Sequence, residues 1–454
     1  MSLTKLKLNK KILTGWGNYP KCSSLVAYPT TIEELISLTK EKNIIARGNA
    51  RSYGDSSISK NITIEMTNFN RIIDLNHETG DITVEAGVIL AELIYKYLPE
   101  GYFPFVTPGT KYVTVGGMIA SNVHGKNHHI EGSLSNYIIW IDIITDNGSI
   151  IRCSETENKE LFDWTIGGMG LTGIIYRACL KFKKVDSSWI TSRKIITRDL
   201  EHTIDIMENN LNSTYSVAWI DCISRSPSQG RSVVFLGEHS TKQEINSSKF
   251  KLFDVKRTKK ISIPFFLPSF FMSYYLLKIF NFIYYYANKL SKKESIQSWD
   301  KYFYPLDNLK NWNKLYGRNG FFQFQCVIPT SESKEALNEI LDTINASKIG
   351  SFLAVLKKFG HDKSKISFPM EGYTLALDFP RSKKVENLLV LLDKLVVKHK
   401  GRFYLTKDSR LSSSLFYQSD DRLKNFKKFR SNYKLKNHFE SYQSERLNIL
   451  ESMH

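Results

Sequence analysis

Cysteine is scarce in this chain. The five in 454 residues (Cys22, Cys153, Cys179, Cys222 and Cys326) lie far apart, are odd in number and form no C-x-x-C pair. That spacing argues against a disulfide scaffold or a zinc site and points to a reducing compartment. No apolar stretch follows the basic start MSLTKLKLNKK, so no secretory signal is expected. Acidic residues also run short, 45 against 63 Lys and Arg, for a net charge of +18. Such a surplus attracts anions, whether phosphorylated substrates or anionic lipid. No pattern of a nucleic-acid-binding module accompanies it, so nucleic acid is not an expected partner. With 42% hydrophobic and 24% charged residues the composition is globular, and the length suits two domains or one with a large insertion.

Glycine is concentrated in three turns, each beside an apolar, strand-like run. The first is Ala46–Ile58 (ARGNARSYGDSSI), the second Thr107–Asn136 (TPGTKYVTVGGMIASNVHGKNHHIEGSLSN) and the third Thr165–Ile175 (TIGGMGLTGII). Gly116, Gly117 and Gly125 remove side chains where a large flat or phosphorylated ligand would meet backbone. Thr110, Thr114 and Ser121 add hydroxyls, and His124 and Lys126 add donors that can carry charge. Together the three turns suggest one extended cradle for a dinucleotide. It is not the Rossmann arrangement. Gly168–Gly173 matches G-x-G-x-x-G by letter, but Ile174-Ile175-Tyr176 follows it and reads as strand, where that motif requires a helix.

The first 185 or so residues alternate short helices and strands. Helices are expected at Thr31–Lys42 and Leu90–Tyr97, and strands at Asn43–Ala46, Ile82–Ala86, Tyr137–Ile143 and Gly173–Phe182. From about Ser187 the strand-like runs lengthen, as at Tyr215–Ile220 and Ser232–Leu236, and cradle-type turns cease. Ile261–Leu277 carries no charge, and Ile279–Ala287 continues it beyond Lys278. Lys256, Arg257, Lys259 and Lys260 crowd one end, and Lys289, Lys292 and Lys293 the other. Pro264 and Pro268 weigh against a spanning helix, and the Tyr and Phe content suits a headgroup interface. An aromatic core of the second domain is the competing reading, and a short apolar run does not choose between them. A very basic tail, Arg422–Lys436, comes near the end of the chain.

Chemistry on a ligand hydroxyl needs a group to take its proton and donors that steady the charge left behind. Lys407 stands at the end of the aromatic-apolar run Phe403-Tyr404-Leu405. A desolvated lysine there would have a lowered pKa and could act as base, although the residue pattern alone reads as a strand-end lysine paired with Asp408. Gln323 and Gln325 alternate with Phe322 and Phe324, so both amides leave one face of a strand and call for partners in a pocket.

The blocks ARGNARSYGD, TPGTKYVTVGGMIASNVHGKNHH and GGMGLTGII resemble the FAD-binding half of vanillyl-alcohol-oxidase-type (PCMH-type) flavoproteins. Within that superfamily the chain is most similar to the decaprenylphosphoryl-β-ribose 2′-oxidase family. The likeness continues in order through Leu13–Gly17, Tyr304–Asp307, Gly320–Pro329, Ser351–Gly360, Gly372–Pro380 and Gly401–Arg410. It implies an α+β fold, with a two-subdomain FAD-binding domain over residues 1–186. A substrate domain on an antiparallel sheet with flanking helices would span 187–400, and 401–454 would return to close over the flavin.

The resemblance places FAD against Arg47, Gly48, Asn49, Ala50, Arg51, Ser52 and Tyr53 of the first turn. Thr110, Gly116, Gly117, Ser121, Asn122, His124 and Gly125 of the second, Gly170, Gly173 and Ile174 of the third, and Tyr404 complete that set. It gives catalytic roles to Lys407, His124, Gln323 and Gln325, and substrate contacts to Trp16, Lys126, Phe303, Lys357, Phe359, Thr374 and Ala376. No metal is expected. Lys358 stands where the family has an apolar residue. Phe303, Thr374 and Ala376 depart from the tyrosine, asparagine and cysteine of mycobacterial members, which bears on the choice of sugar. Arg51 stands where the superfamily usually carries its flavin-linking histidine, so FAD should be dissociable.

The activity implied is oxidation of the ribosyl 2′-hydroxyl, or a similar hydroxyl, of a polyprenyl-phosphate glycoside. A short-chain reductase partner would then complete an epimerisation in cell-envelope glycan synthesis. The enzyme would be cytoplasmic and held peripherally on the anionic inner face of the membrane. A soluble aldonolactone- or alditol-type oxidase and a non-catalytic flavin-fold scaffold are the alternatives.

Overall fold

The computed structural model describes residues 6–257, 260–268, 272–435 and 437–450. Lys259, residues 269–271 of the charge-free segment, Lys436 of the basic tail and the first five residues of the basic start lie outside them.

Two sheets build the N-terminal half. The first runs in the order Asn9–Leu13, Cys22–Ala27, Ile62–Glu65, Ile44–Arg47, with the last three strands parallel. The second is antiparallel and centred on the long strand Ile174–Lys184, flanked by Asp81–Glu85 and Ile138–Ile144. The run after the third glycine turn is therefore strand, as Ile174-Ile175-Tyr176 indicates. The helix Leu90–Tyr97 buries Leu90, Leu93, Ile94 and Tyr97, which follow helical spacing. The first helix is shorter than its apolar pattern suggests, Ile32–Leu38. Thr39 caps it, and Asn43 then takes a left-handed φ of 53° to enter the strand.

An eight-stranded antiparallel sheet forms the second half. Its order is Glu294–Ser298, Trp189–Thr197, Ser232–His239, Tyr215–Ile220, Ala354–Phe359, Gly372–Pro380, Phe321–Pro329, Arg402–Phe403. The helices Thr330–Ser347 and Lys383–Lys398 pack on one face, over Cys326, Ile328, Leu375 and Leu377. The alternate residues of the same strands face a cavity shared with the N-terminal half. Helix Tyr274–Leu290 lies on that cavity side, where Tyr285 packs on Trp219 and Val233.

The chain end returns to the first sheet. Ile44 N–H donates to His438 O at 2.8 Å and Glu440 N–H to Ile44 O at 3.0 Å, extending the edge beside Ile44–Arg47. All five cysteines are buried and free. Among the described residues no helix is long and apolar enough to cross a membrane.

Candidate active site

One cavity of about 740 Å³ runs between the two halves, within the range of pockets that enclose a large ligand. All three glycine-rich turns reach it. Asn49 Nδ2 ties the first turn to the second by donating to Tyr112 O at 2.7 Å. Ala50, in the first turn, holds a left-handed φ of 50°, a conformation that costs energy in a non-glycine residue. A Cβ on Gly109 would meet nothing within 4 Å. One on Gly117 would meet only Thr114 Oγ1 at 3.1 Å, and one on Gly170 only Ile45 Cδ1 at 3.4 Å. These glycines present bare backbone to the cavity, and Arg51 Nε beside them is buried without a partner. An extended cradle of backbone, hydroxyls and one unspent guanidinium fits a dinucleotide such as FAD.

Arg51 lies over the Trp16 ring at 4.2 Å, while Arg47 is held by Glu65 at 3.2 Å and by Thr14 O at 2.7 Å. The second turn is gripped from the other half of the molecule. Asp307 accepts from Thr110 Oγ1 at 2.8 Å and from the Lys111 N–H at 2.9 Å. The Lys111 ammonium, wholly buried, pairs with Asp300. Neither aspartate is singled out by sequence reasoning, although Asp307 ends one of the resembling blocks.

The polar cluster sits where the sheet meets the first and second turns. Gln323 and Gln325 both face the cavity, as their alternation requires. Gln325 Nε2 lies 3.2 Å from His124 Nε2 and also donates to Thr374 Oγ1 at 3.3 Å. Burial, with Lys357, His128 and Lys407 nearby, pushes His124 well below the usual histidine range, so its ring is neutral. With Gln325 donating, Nε2 accepts and Nδ1 carries the proton, a buried donor without a partner.

Lys407 does not pair with Asp408. Its ammonium lies 4.0 Å from the centre of the Tyr53 ring. Tyr53 Oη accepts from Gln323 Nε2 at 3.3 Å, and the same amide donates to Asp378 Oδ1 at 2.5 Å. Asp378 is wholly buried behind the cavity wall and also accepts from Tyr316 Oη at 3.4 Å. Burial drives Lys407 down to about 7, with Asp378 opposing that and Lys357 adding to it. Burial likewise raises Asp378. Asp378 escaped the sequence reading, yet it left a signal: it is the lone charge in the strand Gly372–Pro380.

Most of the expected site residues line this cavity, including Trp16, Lys126, Phe303, Lys357, Ala376 and Tyr404. Four stand behind its wall. Asn122 turns to Ser135 and Ser364. Ile174 points into the core, and strand alternation brings Ile175 to the cavity in its place. Phe359 is covered by the His124 and His128 rings, at 4.7 and 4.3 Å. Thr374 lies under Gln325 as its acceptor. Lys358, on the opposite sheet face from Lys357, bonds Glu208 at 2.9 Å and Thr330 at 3.1 Å, so a charge is accommodated there.

This combination of cradle and cluster is that of a flavin-dependent alcohol oxidoreductase. Residues 23–154 match the family model described as FAD binding domain. The chain is 32% identical over 464 residues to decaprenylphosphoryl-β-D-ribose oxidase of Mycolicibacterium smegmatis, covering 99% of this chain and 100% of that one. It is 25% identical over 353 residues to an uncharacterized protein of Streptomyces coelicolor, covering 75% and 94%. Against L-gulonolactone oxidase of Bos taurus it is 29% identical over 170 residues, 36% and 38% of the two chains. The chain belongs to the decaprenylphosphoryl-β-D-ribose oxidase family, and its cofactor is FAD.

Proposed function

We propose that this enzyme oxidises a ring hydroxyl, the ribosyl 2′-hydroxyl or its equivalent, of a pentose carried on a polyprenyl phosphate. The observation that carries the reading is the cluster at one end of the cavity, with Lys407 over Tyr53 and Gln325 on His124. FAD, when bound, supplies the acceptor for the hydride that leaves the carbinol carbon. Lys407, as the neutral amine that burial favours, takes the hydroxyl proton. Gln323 holds Tyr53 and Asp378 in place around that amine. The neutral His124 offers its Nδ1–H as a donor, and Gln325, with both amide hydrogens spent on His124 and Thr374, offers its carbonyl oxygen as an acceptor for a sugar hydroxyl. A keto sugar on a lipid phosphate requires a reductase to complete an epimerisation, and a short-chain reductase is the proposed partner. Envelope glycan synthesis is the proposed setting.

The helix Tyr274–Leu290 supports a peripheral membrane location. One face (Leu277, Asn281, Tyr285) packs on the sheet, while Tyr275, Ile279, Phe282, Ile283 and Leu290 are exposed. A helix apolar on both faces is unusual at a free surface. Anaerobic bleaching of the flavin by a panel of lipid-linked and free sugars tests the proposal. Bleaching by free aldonolactones or alditols, with lipid-linked pentoses inert, would overturn it in favour of a soluble sugar oxidase.

A further inference from the structure

The strand register orders the cavity face of the large sheet. Gln325 pairs with Ala376, Ala376 with Val355 and Val355 with Trp219. Cross-strand partners share a face, so these four side chains form one row. At about 4.8 Å per strand the row is about 14 Å long. It grades from an amide, through a small residue, to wholly apolar groups. Beside it, Lys357 stands next to Thr374, and Val217 pairs with Phe235. Tyr284 of the aromatic helix roofs the apolar end, its ring 4.6 Å from that of Trp219, and Phe280 lies beyond at 5.9 Å.

Charge is unbalanced midway along this path. Lys126 and Lys357 both enter the cavity, and Lys357 lies close enough to disfavour a charge on Lys126. Lys126 rests on the Tyr302 carbonyl, and among the described residues Lys357 has no hydrogen-bond or ion-pair partner. The sole carboxylate lining the cavity among the described residues, Asp307, is already engaged by Thr110 and the Lys111 N–H. Burial lowers Lys126 to about 7 and Lys357 to about 8, and an anion between them would restore their protonated forms, so two enclosed amines without a counter-charge are a site for one.

We propose that Lys126 and Lys357 clamp the substrate's phosphodiester. The sugar then extends toward Gln325, and the lipid chain runs over Val355, Trp219 and Val217, beneath Tyr284, to the exposed face of helix Tyr274–Leu290. The inference rests on the proposed function and assigns each part of that substrate its own stretch of wall. The path ends on the helix face that carries the exposed apolar residues, so the chain passes from protein to bilayer without crossing water.

The test is anaerobic flavin reduction by β-ribosyl phosphodiesters bearing methyl, prenyl or geranyl groups, together with binding of a fluorescent geranyl phosphate. Apparent affinity should rise about tenfold or more from methyl to geranyl, since each added methylene is buried. Trp219→Ser and Tyr284→Ser should flatten that dependence, with the flavin spectrum reporting that each variant is folded. Lys357→Met should lower the preference for the phosphodiester over a phosphate-free riboside by about 10- to 100-fold and weaken geranyl phosphate binding in parallel. Reduction by all three esters without chain-length dependence would overturn the lipid path and leave the proposed function standing. Geranyl phosphate binding that is lost in the variants, with no ribosyl ester reducing the flavin, would support the path and overturn the choice of sugar.

Discussion

Arg446 donates to Asp408 Oδ2 at 2.8 Å, and this pair withholds Asp408 from Lys407, its neighbour in sequence. Asp408 also accepts from the N–H groups of Arg410 and Leu411, at 2.9 and 2.7 Å. With its acidic neighbour so engaged, Lys407 turns to the Tyr53 ring and the cavity.

Lys407→Ala should keep the fold and flavin spectrum but slow flavin reduction by substrate about 10²–10⁴-fold, the usual contribution of positioned proton transfer. Lys407→Arg should not rescue it, because guanidinium stays protonated. Turnover that survives in the alanine variant, measured by stopped-flow reduction, would remove Lys407 from the chemistry.

With a phosphate-free riboside, which does not engage Lys126 and Lys357, the rate of reduction at limiting substrate should rise with pH through about 7 and then level off. Burial holds Lys407 near 7 in the folded enzyme, far below its ordinary 10.5, so the neutral amine accumulates above that point. Asp378 favours the ammonium, so Asp378→Asn should move the midpoint to lower pH. An unmoved midpoint would show that Asp378 serves packing alone.

FAD should dissociate. Arg51 lies over Trp16 in the first turn, and no cysteine lines the cavity among the described residues. Acid precipitation should therefore leave all the yellow colour in the supernatant, and colour retained by the washed pellet would contradict this.

Anionic vesicles should pull the protein down at low salt and release it as salt screens Lys289, Lys292 and Lys293. Ile279→Asp with Ile283→Asp, both on the exposed face, should abolish sedimentation and leave FAD bound. Sedimentation indifferent to those two changes would place the membrane contact elsewhere.

Arg446→Ala should destabilise the fold by about 3 kcal/mol, because it strands two buried carboxylates. Asp55 and Asp408 lie 2.9 and 2.8 Å from that guanidinium. Thermal denaturation of the holoenzyme checks this, and a loss below about 1 kcal/mol would mean that water or another donor replaces Arg446.

The features legible in the chain alone are local. Helical spacing at Leu90–Tyr97, the alternation that sends Gln323 and Gln325 to one face, and the bare backbone at Gly117 and Gly170 follow from neighbours a few residues apart. Period and steric freedom are properties of the segment, so they are legible without the fold. Which side chains those segments meet depends on the fold. Phe359 shares a strand face with Lys357, yet two histidine rings from the stretch Thr107–Asn136 cover it. Asp378 becomes a partner of the Lys407 site because Gly372–Pro380 happens to pair with Phe321–Pro329 in that register. Asp307 reaches the cradle from nearly two hundred residues away. The charge-free segment shows the same division. Its composition marked it as apolar and aromatic, for an interface or a core, but that Tyr274–Leu290 is a helix, and which of its faces the sheet takes, depended on strands far along the chain. Burial, and with it the shifted pKa of Lys407, is set by the atoms that surround a group and not by those beside it in the chain.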